Sequence, residues 1–136
     1  MEKVIVLKNV KVIFADLEDR GFGRNIVIDV TDVDLREQIA AWVKENNING
    51  GEAKFKPYTN KDGEETYQYT FKLSNYTEFD GDNNLNEKSL GFGAIVNLSA
   101  SAYEYNNKFG NGISASLRAV YIKQGAVKSA MSALKD

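Results

Sequence analysis

AIVNLSASAYEY (residues 94–105), NNKFGNG (106–112) and ISASLRAVYI (113–122) read as two long strands folded back on each other. The first sets Ala94, Val96, Leu98, Ala100 and Ala102 against Ile95, Asn97, Ser99, Ser101, Tyr103 and Tyr105, the alternation of a half-buried strand. The asparagines and glycines of 106–112 tolerate the positive φ that a hairpin turn demands. The return strand places Ile113, Ala115, Leu117, Ala119 and Tyr121 on one face and Ser114, Ser116, Arg118, Val120 and Ile122 on the other. A hairpin of this length, small on one face and ring- and arginine-bearing near its tip, suits an extended polymer better than a small substrate.

Working outward, Val4–Phe14 is a β-rich run whose phase slips near Lys8-Asn9, where a bulge would bend the strand as a barrel requires. Asp16–Gly23 reads as a loop and Arg24–Val30 as a second strand. Thr31 or Asp32 can cap a helix over Asp34–Asn46, in which Leu35, Ile39 and Val43 recur at helical spacing beside Trp42. Asn49-Gly50-Gly51 stops it. Ala53–Thr59 and Thr66–Ser74 form a hairpin across Asn60–Gly63. Asn75–Leu90 is polar, shows neither period and reads as a mobile loop. The order β-β-α-β-β-loop-β-β predicts a mainly β fold: a small OB-like antiparallel β-barrel with one helix and a long β-hairpin. An open β-sandwich is the alternative. The barrel domain is expected over residues 1–123, with a C-terminal tail or short helix over 124–136, centred on Ala126–Leu134.

Composition removes whole classes of chemistry. The chain has 136 residues and neither cysteine nor histidine, so the thiolate nucleophile, the commonest general base and the commonest metal ligand are missing together. No enzymatic activity, metal or cofactor is expected. No apolar run approaches the roughly 20 residues that span a bilayer, so a cytoplasmic protein is expected. The net charge is −2, but its distribution is uneven: residues 1–50 carry −2, residues 51–90 carry −3 and residues 91–136 carry +3. The hairpin third is basic, and such a local field matters more than the sum.

Two ingredients of sequence-tolerant strand binding occur together: rings that stack on any base, and cations that neutralise phosphates. Lys54, Lys56 and Tyr58 share one face of their strand. Across the turn Tyr67 and Tyr69 share a face with Phe71 and Leu73, and Lys72 lies on the other. Two readings stand for those rings, a stacking face or core lining. Tyr103, Tyr105, Lys108 and Phe109 cluster at the end of the long hairpin, and Arg118 is placed at the barrel rim beside Val120 and Ile122. The candidate contacts are therefore Lys54, Lys56, Tyr58, Tyr67, Tyr69, Lys72, Tyr103, Tyr105, Lys108, Phe109 and Arg118, with single-stranded nucleic acid as the partner. The rival is a β-barrel protein-interaction module that does not bind nucleic acid. Asp80–Glu87 is rich in oxygen ligands, but its spacing fails the calcium-loop pattern. Gly21-Phe22-Gly23 precedes a strand and not the helix a dinucleotide loop needs.

Several short segments, in order, carry a likeness. They are Gly23–Asp29 ahead of the helix, Trp42-Val43-Lys44, Pro57-Tyr58, Ala102–Lys108, a turn glycine at Gly110 or Gly112, and Ser116–Ile122. Over residues 3–123 the chain resembles the phage and prophage single-stranded DNA-binding proteins of the OB-fold type. The resemblance implies DNA in preference to RNA, protection of single strands during phage DNA replication and recombination in the host cytoplasm, and a homodimer. It also implies an acidic C-terminal tail that recruits replication or recombination proteins. Here the chain departs, ending Ala133-Leu134-Lys135-Asp136.

Overall fold

The computed structural model describes residues 3–18 and 24–127. Six strands form one sheet in the order β2-β1-β5-β6-β4-β3: β1 Val4–Asp16, β2 Asn25–Asp29, β3 Lys56–Thr59, β4 Glu65–Gly81, β5 Ile95–Asn107 and β6 Gly110–Gln124. A further pairing of β2 with β4 closes every strand except β3 into a ring, and β3 hangs on the outside edge of β4. This is the expected mainly β, OB-like barrel with one helix. All pairings are antiparallel except that of β4 with β6, which is parallel.

The bends that let the sheet close are local and chemical. In β1 the register shifts between Leu7 and Val10, where Asn9 adopts φ 57° and its N–H donates to Asn97 Oδ1 at 2.8 Å. Asparagine tolerates that left-handed backbone, so the expected bulge falls where the sequence permits it. A second shift between Val12 and Phe14 turns Phe14 outward, so it leaves the face of Val10 and Val12 that simple alternation assigns it.

Helix α1, Val33–Glu45, starts at Asp32, whose carboxylate accepts from the Asp34 N–H at 2.9 Å. It ends in left-handed residues, Asn47, Asn49, Gly50 and Gly51. Ile39, Trp42 and Val43 point into the barrel, and the Trp42 indole N–H donates to the Lys3 carbonyl at 3.2 Å. The core they seal contains Ile5, Leu7, Val10 and Val12 of β1, Ile26 and Ile28 of β2, Phe71 of β4, Val96 and Leu98 of β5, and Leu117, Val120 and Ile122 of β6. Each such side chain contributes about 1.5–3 kcal/mol by leaving water.

Three expectations need correction. Asn75–Gly81 is not loop: β4 runs on through it and pairs with β6, from Glu78↔Ala119 to Gly81↔Ile122. Backbone bonding holds this edge, so it needs no apolar period. The hairpin turn is shorter than 106–112, because pairing continues to Asn107↔Gly110. Arg118 does not share the face of Val120 and Ile122: Ser99 pairs with Ala119 but Ala100 with Leu117, so Arg118 is the extra residue of a bulge and points out. At the C-terminus, Ala126 and Val127 are not helical and donate to the carbonyls of Ser89 and Phe92, both at 2.9 Å. The rest of the expected helix lies outside the described residues.

Gly81 ends the β4–β6 pairing where the chain turns sharply. A Cβ there would sit 2.7 Å from the Leu85 carbonyl oxygen and 2.8 Å from that of Ile122. Its backbone is extended, so the constraint is space alone. Gly81→Ala should lower the unfolding free energy by about 1–3 kcal/mol as an overpacked site, read as a reduced urea midpoint.

Candidate nucleic-acid interface

The fold sorts the candidate residues into an inner group, a barrel groove and an exposed arm. Tyr67 and Tyr69 belong to the inner group. They follow the inward phase of Phe71 and pack half-buried against the core. Tyr69 sits between Phe55, 5.5 Å between ring centroids, and Phe71, 4.9 Å away edge-on. Burial raises the Tyr69 phenol above its usual range. The Arg36 guanidinium covers the Tyr67 ring at 4.2 Å. Their faces are engaged with the protein itself.

Lys56, Tyr58 and Lys72 come together on the outer surface of β3, β4 and β2, and Lys54 is exposed just before β3. Pairing sets Lys56 and Asp29 on either side of Gln68, and Lys72 beside Asn25. On this side a groove of about 570 Å³ is walled by Tyr58 and Phe92, with Lys11 and Lys61 along it and Asp29 and Asp62 as its acids. Phe92 is 57% exposed, and the Lys11 ammonium lies 4.9 Å from its ring centroid. The Tyr58 hydroxyl donates to Asp29 Oδ2 at 3.4 Å, and Thr66 Oγ1 donates to the Tyr58 carbonyl at 3.0 Å. These bonds fix the ring at the groove wall.

Lys11, Lys61 and Phe92 were not among the sequence candidates. A signal for Lys11 existed, since it alternates with Val10 and Val12 and must point away from them. Phe92 stands between Gly91 and Gly93, an isolated ring in a flexible context much like Phe109.

The arm is the part of the hairpin that outruns its neighbours. β1 last holds β5 where the Ala102 N–H meets the Lys3 carbonyl at 2.9 Å, and β4 meets β6 only from Leu117 onward. Beyond these points the two strands bond only to each other among the described residues. Tyr103 and Tyr105 lie exposed on its surface, and the Tyr105 ring covers Gly112, where a Cβ would come within 2.7 Å of the phenol oxygen. At the tip Phe109 is 87% exposed, its N–H donates to Asn107 Oδ1 at 2.9 Å, and the Lys108 ammonium lies 5.1 Å from its ring centroid. Among the described residues there is no group of three or more acidic side chains placed to hold a metal ion, and no helix long and apolar enough to cross a membrane.

The fold is similar to that of a solved single-stranded DNA-binding protein. That of bacteriophage Enc34 superposes with a TM-score of 0.63 at 16% identity, covering 98% of this chain and 90% of the other. The Enc34 protein in complex with single-stranded DNA superposes with a TM-score of 0.61 at 14% identity, covering 92% and 88%. At these identities the shared property is the fold. No protein-family model and no curated protein sequence matches the chain.

Proposed function

We propose that this protein binds single-stranded DNA without sequence preference and without catalysis. The observation that carries the reading is the barrel groove, where the rings of Tyr58 and Phe92 stand beside Lys11 and Lys61. Rings accept any base face and ammonium groups accept any phosphate, so neither contact reads sequence. Lys54, Lys56 and Lys72 extend the cationic surface, and the arm offers Tyr103, Tyr105, Lys108 and Phe109 as a further contact region. The likeness of fold to a protein solved with single-stranded DNA supports the same reading, and it does not favour the rival of a protein-interaction module. On this reading the protein covers strands during replication and recombination of a phage genome in the host cytoplasm, with self-association into a homodimer as an accompanying proposal.

Phe92→Ala and Tyr58→Ala test it. Each should weaken binding to labelled oligo-dT by about 1–3 kcal/mol, while the thermal midpoint of Phe92→Ala stays that of the parent because its ring is exposed. Unchanged affinity in both variants, or equal affinity for duplex of the same length, overturns the reading.

A further inference from the structure

We propose that a second nucleotide-binding surface lies across the ring from the groove, where Tyr76 and Arg118 stand over a serine-lined trough at the base of the arm. The proposal rests on the single-strand reading above and adds a second place for a strand. Its origin is a mismatch between two strands. Leu73 pairs with Leu117 and Glu78 with Ala119, so β4 spends Ser74–Thr77 where β6 spends only Arg118. The surplus bulges outward within the strand and is held there. The Ser74 N–H donates to Thr77 Oγ1 at 3.0 Å, the Tyr76 N–H to Ser74 Oγ at 3.1 Å, and the Thr77 hydroxyl to the Leu117 carbonyl at 2.7 Å.

This clasp presents Tyr76 at 90% exposure, with both faces of the ring open to a ligand. Arg118 is pushed outward by its own bulge on the facing strand, and among the described residues no carboxylate lies within salt-bridge distance of it. Between them runs a trough of about 460 Å³ with Ser99, Ser101 and Ser116 in its lining and Glu78 at one side. The guanidinium is the cation there, so a phosphate is directed to it and away from Glu78. Tyr103 and Tyr105 continue the outward phase of Ser99 and Ser101 along β5, about 6.8 Å apart at strand rise. The surface is thus a line: the trough with Tyr76, its serine hydroxyls and one cation at one end, and the rings of Tyr103 and Tyr105 continuing along β5. A linear ligand with a planar group at each step and a phosphate between steps matches that line.

Because the ring order sets β5 and β6 opposite β2, the trough and the groove can be occupied by separate oligonucleotides. Native mass spectrometry of the full chain with oligo-dT of about six nucleotides, near the short end of OB site sizes, tests this. The parent should carry two oligonucleotides at saturation, and the double variant Tyr76→Ala/Arg118→Ala should carry one. Both side chains are exposed, so the variant should keep the parent's circular dichroism and thermal midpoint. The double variant Lys11→Ala/Phe92→Ala should also carry one, retained at the trough. A single oligonucleotide on the parent, unaffected by Tyr76→Ala/Arg118→Ala, overturns the second surface, leaves the groove reading standing and assigns the tyrosine line to a protein partner. No oligonucleotide on the parent overturns both.

Discussion

Phe71→Ala should lower the unfolding free energy by about 3–5 kcal/mol, the cost of removing a large ring from a packed core. Phe71 is 2% exposed, pairs with Ile26 across β2 and meets Tyr69 edge-on at 4.9 Å. Its truncation removes the end of the Phe55–Tyr69–Phe71 row and opens a cavity at the β2–β4 pairing that closes the ring. Since domains of this kind are held by about 5–15 kcal/mol, the loss is a large fraction of the whole. The thermal midpoint should fall by about 10–15 °C, while the folded fraction keeps its affinity for oligo-dT. A midpoint shift below about 3 °C would be inconsistent with a core position.

The second large effect is electrostatic. Affinity for oligo-dT should fall about 50-fold between about 50 and 200 mM salt. If Lys11, Lys56, Lys61 and Lys72 each neutralise one phosphate, the slope of log affinity against log salt is about −2.8, from the single-strand coefficient of about −0.7 per contact. Lys11→Ala should reduce the slope by about 0.7. It should also expose the Phe92 ring that the ammonium now covers. A flat salt response in a fluorescence titration would remove phosphate contact from the mechanism, whatever the rings do.

The backbone period carried most of the fold. Val96, Leu98 and Ala100 alternate cleanly and are buried as read, and Asn9 marks the bulge of β1 because few other residues accept its φ. Asn75–Gly81 was illegible because a strand held by an edge-on parallel pairing, and broken by the Ser74–Thr77 bulge, shows no apolar repeat. The phase of Arg118 was illegible for another reason. Ser116 and Ala119 are small enough for either face, so a slipped residue between them leaves no trace in the sequence. Tyr58 at the groove wall and Lys56 on the surface beside it could be read from a single strand. Lys11 and Phe92 meet where the Gly93 N–H bonds to the Val12 carbonyl at 2.9 Å and the Val12 N–H to the Ala94 carbonyl at 2.8 Å, contacts between distant segments that local pattern cannot anticipate.

The parallel pairing of β4 with β6 also sets the order in which the chain can be completed. The first half of β1 waits for β5, from Val4↔Ser101 to Lys11↔Ile95, and the second half of β4 waits for β6. A nascent chain therefore carries an open edge on β1 until β5 has left the ribosome and one on β4 until β6 has, several seconds at about 5–20 residues per second. Premature termination within β5 leaves those edges unpaired and Ile5, Leu7 and Phe71 without much of their cover. Such fragments are templates for edge-to-edge aggregation: β5 retires the first of the two edges, and only β6 retires the second.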